Sequence, residues 1–195
     1  MGHLDFAAVI RSALVFAHLF AFAAAAAAIA MGDFAIFYGR RVNSALLGKC
    51  ASAVGFALLV LWITGLALVW LDTRFAFDVL AGRPKLLAKF NVVVFLTLNG
   101  FALSRFAFPR FAVRQGDPHG SAMVPAMLGA VSATTWIFAA FLGVARGLDD
   151  VLGYPEFMAL YVLAVVLGIV VALRFVWPHL TRQMWRGNRT VEPEP

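Results

Sequence analysis

The chain contains five long, predominantly apolar stretches, and this feature limits its fold more than any other. The stretches cover residues 12–32, 50–71, 86–104, 121–145 and 157–173. A helix of about 20 residues crosses the hydrocarbon core of a bilayer, and lipid requires every backbone polar group to be bonded within the structure. Barrel strands would need alternating apolar and polar residues, which these stretches lack. The sequence therefore predicts an all-α polytopic bundle of five transmembrane helices, with one domain over 1–189 and a disordered tail over 190–195.

The composition supports the same conclusion and excludes several classes of protein. Hydrophobic residues make up 63% of the chain and charged residues 13%, against about 45–50% and about 25% in soluble domains. The net charge of +6 fits loops that lie beside anionic lipid head groups. No basic patch interleaved with aromatic residues is present, so we expect the lipid bilayer as partner and no nucleic acid. The single cysteine excludes an internal disulfide and cysteine-based metal sites.

The distribution of Lys and Arg predicts the orientation of the helices. Ten of the 16 basic residues fall at one set of helix ends and six at the other. The positive-inside rule places the larger set in the cytoplasm, with the N-terminus outside and the C-terminus inside a bacterial inner membrane. Aromatic residues near the helix ends are typical of interface anchors: Trp70, Tyr154, Trp177 and Trp185.

His18 is one of two ionisable side chains at predicted membrane depth, where such groups are expensive and usually serve a function. Arg11, His18 and Ala25 are seven apart and share one helix face. The run 23–28 that follows consists entirely of alanine. Such a surface suits a flat macrocycle such as haem, with the iron on the imidazole, and it suits close helix packing equally well. The structural alternative is that His18 bonds a serine or a backbone carbonyl of a neighbouring helix.

Lys89 is the second such side chain, and it lies four residues after Lys85 on the same helix face. In one interpretation its ammonium group extends to the interface. In the other it points inward and pairs with a carboxylate, such as a porphyrin propionate. Asp72 and Asp78 are alternative partners. Both His18 and Lys89 fall in the predicted outer half of the membrane, which makes them the candidate cofactor-binding residues.

Methionine and histidine side chains offer a copper alternative. Met123 and Met127 are four apart beside His119, and thioether and imidazole ligands suit copper(I). A copper-handling domain would use His18 with Met31, Met123 or Met127. Methionines at this spacing on a membrane helix are far more often packing residues.

Four short segments occur in a characteristic order along the first part of the chain: Ala17-His18-Leu19-Phe20, 34–38, 62–68 and 86–94. Together they resemble the superfamily that contains the copper-resistance protein D membrane domain and the HemJ-type protoporphyrinogen oxidase. The resemblance covers about the first 105 residues. It implies a membrane redox protein that binds haem b, with His18 as an axial ligand and Lys89 holding an acidic group of the porphyrin. Lys89, a water molecule or a second protomer would supply the other axial position, and an electron-transfer partner is expected.

A third hypothesis is a non-catalytic membrane subunit that scaffolds a partner. The sequence contains no carboxylate pair, nucleophile–base pair or phosphate-binding loop of recognisable pattern. The chain is therefore not assigned as an enzyme from its sequence.

Overall fold

The computed structural model describes residues 6–38, 42–112, 116–148 and 151–189, and within these ranges all regular structure is helical. Five helices are long and apolar enough to cross a membrane. These helices confirm the five predicted ones. Each extends beyond the predicted stretch at one or both ends, because the helix continues into interfacial residues that a hydropathy pattern leaves out. The spans are Phe6–Phe37, Ser44–Thr73, Pro84–Phe111, Pro118–Val144 and Tyr154–Trp185.

The described chain forms two compact units, of which the first comprises Met1–Phe37 and Ala45–Leu80. It contains helices α1 (Phe6–Phe37) and α2 (Ser44–Thr73). The predicted single domain over 1–189 stays a prediction, and the predicted tail, 190–195, lies outside the described residues. In α1 the buried positions are all small and recur every three or four residues, as expected for a close helix–helix contact: Ala21, Ala25, Ala28, Gly32 and Ala35.

Gly32 shows how closely the two helices of the first unit approach. A Cβ atom added at Gly32 would lie 3.6 Å from Cβ of Cys50 and 3.8 Å from Cδ1 of Leu47. Cys50 is a buried free thiol, as expected for a small apolar side chain at the start of a span. Small residues on α1 therefore contact the first turns of α2.

The end of α2 turns sharply. Arg74 and Phe75 both have positive φ, 51° and 56°, which is uncommon for residues other than glycine. Thr73 Oγ1 donates to the Val69 carbonyl at 2.7 Å and accepts the Phe75 amide at 3.2 Å, which fixes the turn. A five-residue helix, α3 (Phe77–Ala81), follows, and none of its residues is buried.

The second unit comprises Tyr38–Ser44 and Ala81–Pro195. Its helices are α4 (Pro84–Ala102), α5 (Pro109–Ala112), α6 (Pro118–Val144), α7 (Tyr154–Val171) and α8 (Trp177–Arg189). Helix α6 lies at its centre and packs against α4, α7 and α8. The core near the start of α4 and α7 is apolar and tightly closed, and its buried members are Ala88, Val92, Phe138, Leu142, Phe157 and Tyr161.

Two π-helical turns interrupt the third and fifth spans at equivalent places. They cover Leu103–Ala107 and Ala172–Val176, and each lies shortly before a proline, Pro109 or Pro178. The Phe108 amide bonds to the Leu103 carbonyl at 3.0 Å, five residues back, and Trp177 bonds in the same way to Ala172. Proline lacks an N–H and its ring clashes with the carbonyl four residues earlier. The wider turn lets both helices continue past the proline.

Candidate functional site

His18 lies on α1 and is hydrogen-bonded to Thr64 on α2, with 2.8 Å between Nδ1 and Oγ1. The imidazole is half-buried and Thr64 is buried. The Thr64 hydroxyl also lies 2.7 Å from the Val60 carbonyl oxygen. A hydroxyl has one proton, and the carbonyl can only accept it, so Thr64 donates to Val60 and accepts from His18. The proton of the neutral imidazole is therefore on Nδ1, and Nε2 bears the lone pair.

Gly65 of α2 lies against the His18 ring. A Cβ atom added at Gly65 would be 3.4 Å from Cε1 and 3.9 Å from Nδ1 of His18, which is ordinary van der Waals contact. Thr64 and Gly65 thus form one contact surface, in which the hydroxyl orients the ring and the glycine packs beside it. The sequence predicted a serine or a backbone carbonyl as the partner of His18, and the partner is a threonine. No local sequence pattern indicates this contact, because the two residues are 46 positions apart.

The alanine run after His18 is divided between two environments. Ala21 and Ala25, which follow His18 on its own face, are 6% and 0% exposed. Four other alanines of the run are exposed, and these are Ala23, Ala24, Ala26 and Ala27. Of the two predicted uses of this surface, close packing accounts for the inward-facing alanines, because protein atoms already cover them.

Lys85 and Lys89 lie on α4 in the second unit. Lys85 is only 9% exposed, and its Nζ donates to the carbonyl of Ala145 at 2.8 Å, at the end of α6. An ammonium group is stabilised there because the last carbonyls of a helix carry partial negative charge. Lys89 is half-buried, one turn further along α4. Its pairing with an acidic group, and its convergence with His18, stay predictions.

Asp72, predicted as an alternative partner for Lys89, forms an ion pair within the first unit. Its carboxylate contacts Nε of Arg11 at 3.2 Å and Nη2 at 3.3 Å. This pair joins the first turns of α1 to the end of α2. Asp78 lies in the first turn of α3, a helix without buried residues.

Polar side chains inside the second unit bond to one another or to backbone carbonyls. Asn99 Nδ2 donates to the Leu128 carbonyl at 3.1 Å. Asn91 Nδ2 lies 3.0 Å from the hydroxyl of Tyr154, so this predicted interface anchor bonds within the unit. Thr135 donates to the Val131 carbonyl at 2.6 Å, so the Tyr161 hydroxyl, 3.0 Å away, donates to Thr135. Such bonds fix the register of neighbouring helices.

The proposed copper ligands are widely separated along the chain. Met31 follows His18 by thirteen residues on the continuous helix α1, a rise of about 20 Å, so the two cannot bind one ion. His119 packs against the Trp177 ring in a tilted arrangement, with the ring centroids 4.3 Å apart. Within the described ranges, no group of three or more His, Cys, Asp or Glu side chains is placed to hold a metal ion. Copper binding by His18 with Met123 or Met127 stays a prediction.

We expect Lys85→Met to destabilise the second unit by about 1.5–3 kcal/mol, the usual contribution of a hydrogen bond to a charged group. The Ala145 carbonyl would lose its donor, and methionine preserves the volume of the side chain. An SDS titration in mixed micelles would measure the free energy of unfolding. Lys49→Met is the matched control, because Lys49 is exposed on α2. Equal stability of the two variants would show that the Lys85 bond contributes little.

These features define an all-helical protein with five segments able to span a membrane, which is compatible with an integral membrane protein. No family model, curated protein or solved structure matches the chain.

Proposed function

We propose that this is a haem-binding redox protein of the bacterial inner membrane, with Nε2 of His18 as an axial ligand to haem b. The observation that carries the proposal is the His18–Thr64 hydrogen bond. Histidine ligands of metals commonly donate their second ring N–H to a fixed acceptor, which sets the tautomer and raises the basicity of the ligating nitrogen. The 2.8 Å contact with Thr64, whose own proton is directed to Val60, has this form.

The residues of this chain have defined roles in the proposal. Thr64 holds the imidazole in the Nδ1–H tautomer, Gly65 packs beside the ring, and Nε2 would bind the iron. Lys89 is the proposed cation for a porphyrin carboxylate. The bound haem would supply one-electron chemistry at its iron. Ala21 and Ala25 are buried against other protein atoms, so the haem would not lie on them. The proposal therefore depends on His18 alone on this face.

An absorbance spectrum of the purified protein tests the proposal. After expression with ample haem, we expect a Soret band that shifts on reduction with dithionite, together with membrane localisation of the protein. The control is the same preparation from cells unable to supply haem, which should yield folded protein without the band. Folded wild-type protein without a Soret band under haem-replete conditions would overturn the proposal.

A non-catalytic membrane subunit is the second candidate function, and the bonding inside the second unit favours it. Asn91, Asn99 and Tyr161 satisfy helix-to-helix contacts, which is what a scaffold requires. In that case a partner should co-purify in constant ratio with both the wild type and His18→Ala.

A further inference from the structure

We infer that the second unit has a binding groove for an anionic phospholipid, between the end of the third span and the first half of α6. The groove is open on one side and has a volume of about 380 Å³. Five apolar residues and one arginine line it: Ala102, Phe106, Arg110, Val124, Met127 and Leu128. The inference does not depend on haem binding.

The length and position of the groove suit an acyl chain. Arg110 lies next to the end of the span Pro84–Phe111, at the level of the lipid head groups. Ala102 is eight residues earlier, about 12 Å deeper along the helix. Ala102, Phe106 and Arg110 are four residues apart, so they line the groove along one face of the helix. A hydrocarbon chain that enters beneath Arg110 would therefore meet apolar side chains along the length of the groove.

The Arg110 side chain is held along its own helix beside the groove. One of its terminal nitrogens, Nη1, donates to the Phe106 carbonyl at 2.6 Å, which fixes the side chain along its own helix. A guanidinium group has five N–H donors and matches the geometry of a phosphate. The guanidinium group would bind the phosphate of a phospholipid head group, and the apolar groove would hold its acyl chain.

The charge around the groove favours an anionic lipid over a second copy of the chain. Helices α4 and α7 both pack antiparallel on α6, so their π-helical turns lie at the same end of the unit. Each turn carries an exposed arginine, Arg105 or Arg174, close to the ring of the next phenylalanine. A second copy would bring the same basic residues to the interface and be repelled, whereas anionic head groups are attracted.

Native mass spectrometry of the detergent-purified protein, titrated with phosphatidylglycerol and phosphatidylcholine of equal chain length, tests the inference. We expect wild type to retain phosphatidylglycerol selectively, and Arg110→Gln to weaken this binding about fivefold, the effect of one basic side chain at an anionic surface. Ala102→Phe and Met127→Phe fill the groove without changing charge and should reduce the binding by at least as much. Thermal unfolding of each variant identifies any that fails to fold. One folded groove variant, Ala102→Phe or Met127→Phe, is enough for the test.

The matched control is Arg182→Gln. Arg182 also donates to the carbonyl four residues earlier, that of Pro178 at 3.2 Å, but it does not line the groove. Unchanged lipid retention in this variant supports a specific site. An equal loss of lipid binding in Arg182→Gln and Arg110→Gln would mean that the lipid is attracted by diffuse surface charge, and it would overturn the inference. Equal retention of the two lipids by wild type, or a protein dimer that Ala102→Phe dissociates, would also overturn it.

Discussion

His18→Ala is expected to abolish the Soret band of the purified protein. Alanine removes Nε2, the proposed iron ligand, and a haem without its axial histidine should be lost during purification. Thr64→Val leaves Nε2 in place but removes the acceptor that orients the ring, and loss of such a partner typically weakens a metal site by about 10–100-fold. Thr64→Ser keeps a hydroxyl and should retain most of the haem. Haem content per chain, from the pyridine haemochrome spectrum, measures all three variants.

The His18 experiment must separate loss of a ligand from loss of a helix contact, because His18→Ala also removes the bond to Thr64. Added imidazole should restore the Soret band of His18→Ala if the side chain is a ligand, and should not restore it if the side chain is only structural. His119→Ala is the matched control, since His119 is exposed and packs on Trp177. A Soret band of full intensity in His18→Ala would exclude this residue as the axial ligand.

Phe157→Ala is expected to have the largest effect on stability, a loss of about 3–5 kcal/mol in the free energy of unfolding. Phe157 is 0% exposed and belongs to the core that joins α4, α6 and α7. Truncation would leave a cavity, and packing contacts are a main source of helix association in membranes. Thermal unfolding in detergent and SDS titration would both report the change.

Phe101→Ala is the matched control for Phe157. Phe101 belongs to α4 of the same unit but is 70% exposed, so its removal should change the stability by only about 0.5 kcal/mol or less. If the two variants lost equal stability, the core formed around Phe157 would not be what holds the second unit together.

Hydropathy was sufficient to predict the helices, because a span must be long and apolar wherever it packs. The contacts of the charged residues were less accessible to prediction. Lys85 and Lys89 lie on the same helix face in similar sequence surroundings. Only the position of the α6 carboxyl end shows that Lys85 donates to the Ala145 carbonyl. The residues around each lysine give no indication that Lys85 makes this bond.

The same limit applies to the candidate site. His18 was identified from its depth in the membrane, which needs only the sequence. Its tautomer depends on Thr64, whose hydroxyl proton is directed to Val60 by the backbone of α2. A hydrogen-bond chain of this kind joins residues 46 positions apart, so no local pattern predicts it.

The π-helical turns have a consequence for any future comparison of sequences. The pattern Arg-Phe-x-aromatic-Pro occurs at 105–109 and again at 174–178, and each turn accommodates one residue more than a regular helix. At about 100° per residue, Leu180 would be rotated roughly 100° away from the side of Tyr161 in an uninterrupted helix, yet both are buried. A homologue that lacks the additional residue should therefore align with a gap inside the span, where gaps are ordinarily penalised most.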